Sequence, residues 1–205
     1  MLLEGHIMIK LIHGFYNMDR LELNGLFQQY PPALQLFPGY RVDDGLVWNL
    51  VHDRHRVPMK AVRVFYESLG EECVKALNDM IALGAVIFNT DRHYGNFGFL
   101  VDSHTNQIIA PAPLFDHGNA LLNLADAEAL KSKENILKYA KTQMPCIYDD
   151  FVREDKKVMI HEHRNHLRKC LDFRFKRHSR YNLSPKRLAL VEFAVQSRVK
   201  ELLEE

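Results

Sequence analysis

The chain has 205 residues, and 27 Lys and Arg against 26 Asp and Glu leave a formal net charge of +1. Near-neutrality removes any global field that would draw the protein to nucleic acid or an anionic membrane. The 47% hydrophobic and 26% charged fractions are those of an ordinary globular domain. Cys73, Cys146 and Cys170 are scattered, with no CxxC pair. This speaks against a disulfide framework and for a reducing compartment.

The opening segment is apolar in patches, but Glu4 and His6 interrupt it, and it has no basic n-region or small-residue cleavage site. No apolar run is long enough to span a bilayer. The sequence predicts a cytoplasmic protein with no membrane partner.

Residues 1–56 read as irregular, with turn signals at Pro31-Pro32, Pro38-Gly39 and Asp43-Asp44-Gly45. Apolar residues between the turns, such as Leu34, Phe37, Val47 and Trp48, suit short helices. Residues 58–69 read as a helix: Pro58 fits its first turn, and Val62, Phe65, Tyr66 and Leu69 share a face. Gly70 stops it. A second helix is expected over 71–88, acidic in its first turn and apolar nearly all round in its last turns, which predicts burial of that end.

The pattern then turns polar at Asn89-Thr90-Asp91-Arg92-His93-Tyr94-Gly95-Asn96. Short apolar runs at 97–101 and 107–110, separated by Asp102 to Asn106, predict a β-hairpin. A second polar loop, Asp116-His117-Gly118-Asn119, follows two prolines. The rest reads as helical, over 126–142, 148–170 and 184–203. The last of these has Ser184 as N-cap, Pro185 after it, and Leu188, Val191, Val195, Val199 and Leu202 on one face. No repeat, low-complexity tract or linker divides the chain. One domain over 1–205 is expected, mainly α with one small β-hairpin, with a catalytic segment at 89–119 and a helical remainder at 124–203.

A hairpin goes out and returns, so the loops before and after it end near each other. Asp91, Asn96 and Asp116 are therefore expected to converge. Phosphoryl transfer from ATP needs such a point: one carboxylate to take or orient the hydroxyl proton, and a carboxylate with a neutral oxygen donor to hold Mg²⁺. On this reading Asp91 is the base, and Asn96 and Asp116 are the metal ligands.

Protein kinases place an Asp-x4-Asn loop and a later metal-binding Asp in this order. Here the loop reads Asp-Arg-His, not His-Arg-Asp. The wording IFNTDRHYGNFGFL followed by APAPLFDHGNALL resembles HipA-like kinases. The Asp-Arg-His-x2-Asn string also resembles phosphoinositide-type lipid kinases. The resemblance is concentrated over residues 75–122. It implies a kinase-like C-terminal lobe in which Asp91 is the base, Asn96 and Asp116 bind Mg²⁺ and His93 shapes the loop. Arg92 would pair with a phosphate or a loop carboxylate. Gly95 and Gly118 would allow tight turns, and His117 would belong to the second loop. It further implies a Ser/Thr protein kinase using ATP and Mg²⁺, commonly the toxin of a toxin–antitoxin pair; known targets in that family include aminoacyl-tRNA synthetases.

Residues 1–88 contain no Gly-x-Gly-x2-Gly and no strand of the Val-Ala-Ile-Lys type. Lys10 is a poor substitute for the strand lysine, and Lys60 a poorer one. The N-terminal lobe is thus expected to be largely or wholly absent, through truncation or because a partner chain supplies it. The expected partners are a protein substrate and an antitoxin or lobe-supplying chain.

Blander readings stand beside this one. The first polar loop by itself reads more readily as a helix-capping turn, and a kinase lobe without turnover would be a binding module. Asp91, His93, Asp116 and His117 also suit a Zn²⁺, Mn²⁺ or Fe hydrolase. His161-Glu162-His163 with His166 is not the zincin pattern, because Asn165 stands where the second histidine belongs, and it reads as a solvated helix face. Asp102 and Asn106 read as turn residues, Asn119 as a brace for its loop, and Tyr94, Phe97 and Phe99 as core or wall. The basic stretch 164–180 is the one place where nucleic acid or an acidic partner would bind.

Overall fold

A computed structural model of the chain describes residues 7–8, 59–92, 96–102 and 107–204. The short helices expected within residues 1–56, Lys10, the loop residues His93, Tyr94 and Gly95, and turn residues 103–106 lie outside the described residues. The fold is mainly helical, and it divides into two compact units that interleave along the chain. One takes Met1–Leu77 and Arg92–Asp116, the other Asn78–Asp91 and His117–Glu205.

In the first unit the expected hairpin forms from β2 (Phe99–Asp102) and β3 (Ile108–Pro111), antiparallel, with a register shift between Leu100 and Val101. A third strand, β1 (Ile7–Met8), pairs with the other edge of β2. This corrects the reading of a lone hairpin: a two-residue strand carries no period that a sequence pattern can reveal. Helix α1 (Met59–Ser68) buries Val62, Phe65 and Tyr66. Phe65 meets Phe99 edge-on at 5.7 Å between ring centres, and Tyr66 lies 4.7 Å from the same ring. Burial pushes the Tyr66 hydroxyl well above the usual phenol range. Gly70, at φ 105°, ends the helix in the left-handed region that glycine enters freely. Helix α2 (Glu71–Ile87) starts directly after it, with Glu71 and Glu72 in its first turn.

In the second unit, the end of α2 buries Met80, Ile81, Ala82 and Ala85, followed by Phe88, as expected, whereas Leu83 is exposed. Helix α3 (Lys133–Lys141) is much shorter than the helix expected over 126–142. The Asp126 carboxylate takes the Ala129 N–H at 2.8 Å and closes a turn, and Ser132 becomes the N-cap by accepting from the Asn135 N–H. The single helix expected over 148–170 is two helices, α4 (Phe151–Val158) and α5 (His161–Lys169). Met159 and Ile160 are extended, and Asp150 caps α4. The last helix, α6 (Pro185–Leu203), holds as predicted, capped by Ser184. Its buried face, Leu188, Val191, Val195, Val199 and Leu202, packs against α3, α4 and α5.

His161, Glu162 and His166 of α5 are exposed, as the solvated-face reading expects, but His163 is buried, and its Nε2 lies 2.8 Å from Asp79 Oδ1. Nearby Asp155 is 0% exposed, and neither of its carboxylate oxygens finds a hydrogen-bond partner among the described residues. Burial pushes its pKa up to about 6, against the pull of His163 and Arg164 on α5, Arg198 on α6 and Lys156 on its own helix. The folded state thus holds this proton more tightly than the unfolded chain. Stability is lost as pH rises from about 4 through 6, and the full penalty applies above that. Asp155→Asn removes the buried charge and is expected to stabilise the protein by on the order of 2 kcal/mol at pH 8. That is a Tm increase of roughly 4–8 °C, shrinking toward zero near pH 4. Melting curves across that range check it; a lower Tm for the variant at pH 8 would show that Asp155 is net favourable.

Candidate active site

The first loop begins at a forced turn. Phe88 takes a left-handed backbone at φ 54°, and Asn89 N–H still reaches back to the Gly84 carbonyl at 3.0 Å. Arg198 of α6 supports this turn. Its guanidinium lies 4.4 Å above the Phe88 ring and donates to the Ala85 carbonyl at 3.2 Å. Asn89 is fully buried, and its side-chain oxygen accepts the Asp91 N–H at 3.1 Å. The same amide's nitrogen lies 3.4 Å from His117 Nδ1. A short Asx turn thus presents Asp91, which is half-buried.

Asp91 meets the second loop through Asn119. Asn119 Nδ2 donates to Asp91 Oδ2 at 3.1 Å, and the Asn119 carbonyl accepts from the N–H and hydroxyl of Thr90, each at 3.4 Å. Asn119 therefore braces more than its own loop. The Leu121 N–H donates to the Ile87 carbonyl at 2.6 Å, and the Cys146 thiol to the Thr90 carbonyl at 3.0 Å. Burial, and secondarily the Asp91 charge, raise the Cys146 thiol above its ordinary range. All these contacts lie within the second unit.

The first unit holds Asn96 and Asp116. Arg92 is buried, and its Nη1 donates both to the Asn96 carbonyl at 2.6 Å and to the Phe115 carbonyl at 2.8 Å. One guanidinium nitrogen thereby ties the chain entering the hairpin to the chain leaving it, next to Asp116. The Ala112 N–H to Gly98 carbonyl bond, 2.8 Å, adds a second tie. Asn96 is buried, whereas Asp116 is exposed and left-handed at φ 52°. Their donor chemistry, a neutral amide oxygen and a carboxylate, suits a hard cation such as Mg²⁺. His117 and Gly118 are exposed, and the Gly118 carbonyl accepts from the Asn123 amide. Among the described residues, no three His, Cys, Asp or Glu side chains group as a metal site.

Backbone strain gathers at these loops. The non-glycine residues with positive φ among the described residues are Phe88, Asp116, Leu121 and Leu122. Each costs about 1–2 kcal/mol and persists only where its surroundings over-determine it. The basic stretch is partly neutralised: buried Glu192 takes the Phe175 N–H at 3.0 Å and pairs with Arg177 at 3.0 Å and Arg174 at 3.8 Å.

With this geometry in place, the comparison with solved structures bears on the fold alone. It is kinase-like. A solved structure of the Helicobacter pylori proinflammatory kinase CtkA matches with a TM-score of 0.53 at 17% identity, covering 84% of this chain and 68% of that one. No family model matches the chain, and no curated protein does. Among the described residues, no helix is long and apolar enough to cross a membrane.

Sequence reasoning placed Asn89 and Thr90 within the catalytic segment 89–119 but gave neither a role of its own. Asn89 left a faint signal, an Asn two residues before an Asp at the end of an apolar helix, which is the sequence form of an Asx turn.

Proposed function

We propose that the chain carries phosphoryl-transfer machinery of the HipA-like type, acting from Mg·ATP on a protein Ser or Thr. Asp91 is the base, and Asn96 and Asp116 are the Mg²⁺ ligands. The observation that carries this reading is the Arg92 tie: it fixes the Asn96 carbonyl and the Phe115 carbonyl on one nitrogen, so the segments bearing both proposed ligands are held together. The kinase-like fold supports it. So does Asn119, whose amide donates to one Asp91 oxygen and orients the carboxylate.

A bound Mg²⁺ would neutralise charge on the phosphates. The chain's own contribution is positional. The Asx turn at Asn89 aims Asp91, and Arg92 keeps Asn96 and the neighbour of Asp116 in register. A toxin–antitoxin setting is the biological context the HipA-like wording suggests.

Titration calorimetry with Mg·ATP on the unaltered protein and on Asp116→Ala tests the proposal. Binding by the first that is lost in the second is the expected result. An absence of binding in both would overturn it in favour of a kinase-like lobe that binds partners without a nucleotide site of its own.

A further inference from the structure

We propose that Asn119 and Arg187 are positioning residues for Asp91, forming a relay that runs from the first turn of α6 to the base. The inference rests on the reading of Asp91 as the base. Its contacts all lie within the second unit.

The relay begins with a cation in an unfavourable place. Helix α6 has no acidic residue in its first turn, and Lys186 and Arg187 stand there instead. Positive charge at a helix N-terminus opposes the macrodipole. Arg187 offsets this by turning its guanidinium off the helix. Nη1 donates to the Ala125 carbonyl at 3.3 Å, and Nη2 to the Leu122 carbonyl at 3.2 Å and to the Asn123 carbonyl. These carbonyls converge because Leu121 and Leu122 are both left-handed, at φ 55° and 53°. Two successive non-glycine residues in that region are strained, and a planar fork that collects the resulting carbonyls holds them there.

From this turn the relay continues by two routes. The Asn123 side chain donates to the Gly118 carbonyl, fixing the residue before Asn119. The Leu121 N–H donates to the Ile87 carbonyl at 2.6 Å, fixing the turn to the end of α2. Asn119 sits between these anchors. Its carbonyl receives Thr90 and its amide donates to Asp91 Oδ2 at 3.1 Å. A carboxylate held through one oxygen by a fixed donor keeps the other oxygen in a defined direction. Displacement of a reacting group by about 1 Å is enough to lower a rate about 100-fold.

The test has a structural arm and a kinetic arm. Amide hydrogen exchange on Arg187→Met is expected to show about a tenfold loss of protection at Thr90 and Leu121, with the Val195 and Val199 amides of α6 unchanged. Arg187→Lys, which keeps the charge but not the fork, should fall between. Wild-type protection at Thr90 and Leu121 in Arg187→Met would overturn the relay. In the kinetic arm, transfer from Mg·ATP to dephosphorylated casein is followed against pH. Asn119→Ala is expected to lower kcat about 10- to 100-fold, with the KM for ATP changed less than twofold. In Asn119→Asp the new carboxyl donates only while protonated, so its deficit should narrow as pH falls, which a merely structural role would not produce. A wild-type kcat and pH profile in Asn119→Ala overturns this inference alone. An Asp91→Asn variant as active as the unaltered chain, or no transfer by the unaltered chain, overturns the reading of Asp91 and this inference with it.

Discussion

Asp91→Asn is expected to lower phosphoryl transfer from Mg·ATP about 1000-fold while leaving Mg·ATP affinity within twofold. The substitution keeps shape and removes only the basicity, and general-base assistance contributes about 10²–10⁴. The local fold should survive because the contact that shapes the turn uses the main chain: Asn89 Oδ1 accepts the Asp91 N–H, not a side-chain group. The Asn119 amide can still donate to the amide oxygen of the variant, so the relay stays closed. Single-turnover transfer and calorimetry on the same preparation separate the two effects. Retention of more than a tenth of the rate would remove Asp91 from the base role. Loss of nucleotide binding equal to that of Asp116→Ala would make Asp91 a ligand instead, the arrangement a metal-hydrolase reading requires.

The contrast between Asp91 and Asp116 shows what the sequence made readable. Order along the chain was legible because it is one-dimensional: a buried helix ending in Asn, a polar loop, two short apolar runs and a second polar loop. The helix α2, the pairing of β2 with β3, and the capping of α6 by Ser184 followed from that order and from local chemistry. What escaped was set by groups distant in sequence. The break between α4 and α5 is one case, since nothing at Met159 and Ile160 is a helix breaker; both are extended, and the following helix buries His163 against Asp79 of α2. Arg187 is another. In sequence it is one of two cations after the Ser184 cap, and only the left-handed turn at Leu121 and Leu122 gives it three carbonyls to hold. That turn was itself unreadable, because leucine is among the residues least expected to adopt positive φ.

Arg92→Met is expected to destabilise the protein by about 3–5 kcal/mol and to weaken Mg·ATP binding as severely as Asp116→Ala does. Arg92 is the largest fully buried side chain of the described residues, at 1% exposure. Its charge is sheltered from water, and its Nη1 donates to carbonyl dipoles at 2.6 and 2.8 Å. Hydrogen bonds to a charged group contribute about 1.5–3 kcal/mol each, and their loss leaves both carbonyls short of a donor. Methionine fills much of the volume but donates nothing, so the loss falls on the tie between Asn96 and Phe115. Because Asp116 follows Phe115 directly and is already strained at φ 52°, slackening of the Phe115 carbonyl allows that strained residue to relax. Arg92→Lys should recover part of the stability, since both bonds come from one nitrogen and an ammonium has three donors, but its shorter reach should not restore both distances. Urea unfolding gives the stability change, and exchange at the Ala112 amide, bonded to the Gly98 carbonyl at 2.8 Å, reports whether the hairpin base has opened. A change below about 1 kcal/mol in Arg92→Met, with Ala112 still protected, would mean that the hairpin base holds the two ligand-bearing segments without Arg92. The residue after the base would then be a packing side chain and not the clamp on which the metal site depends.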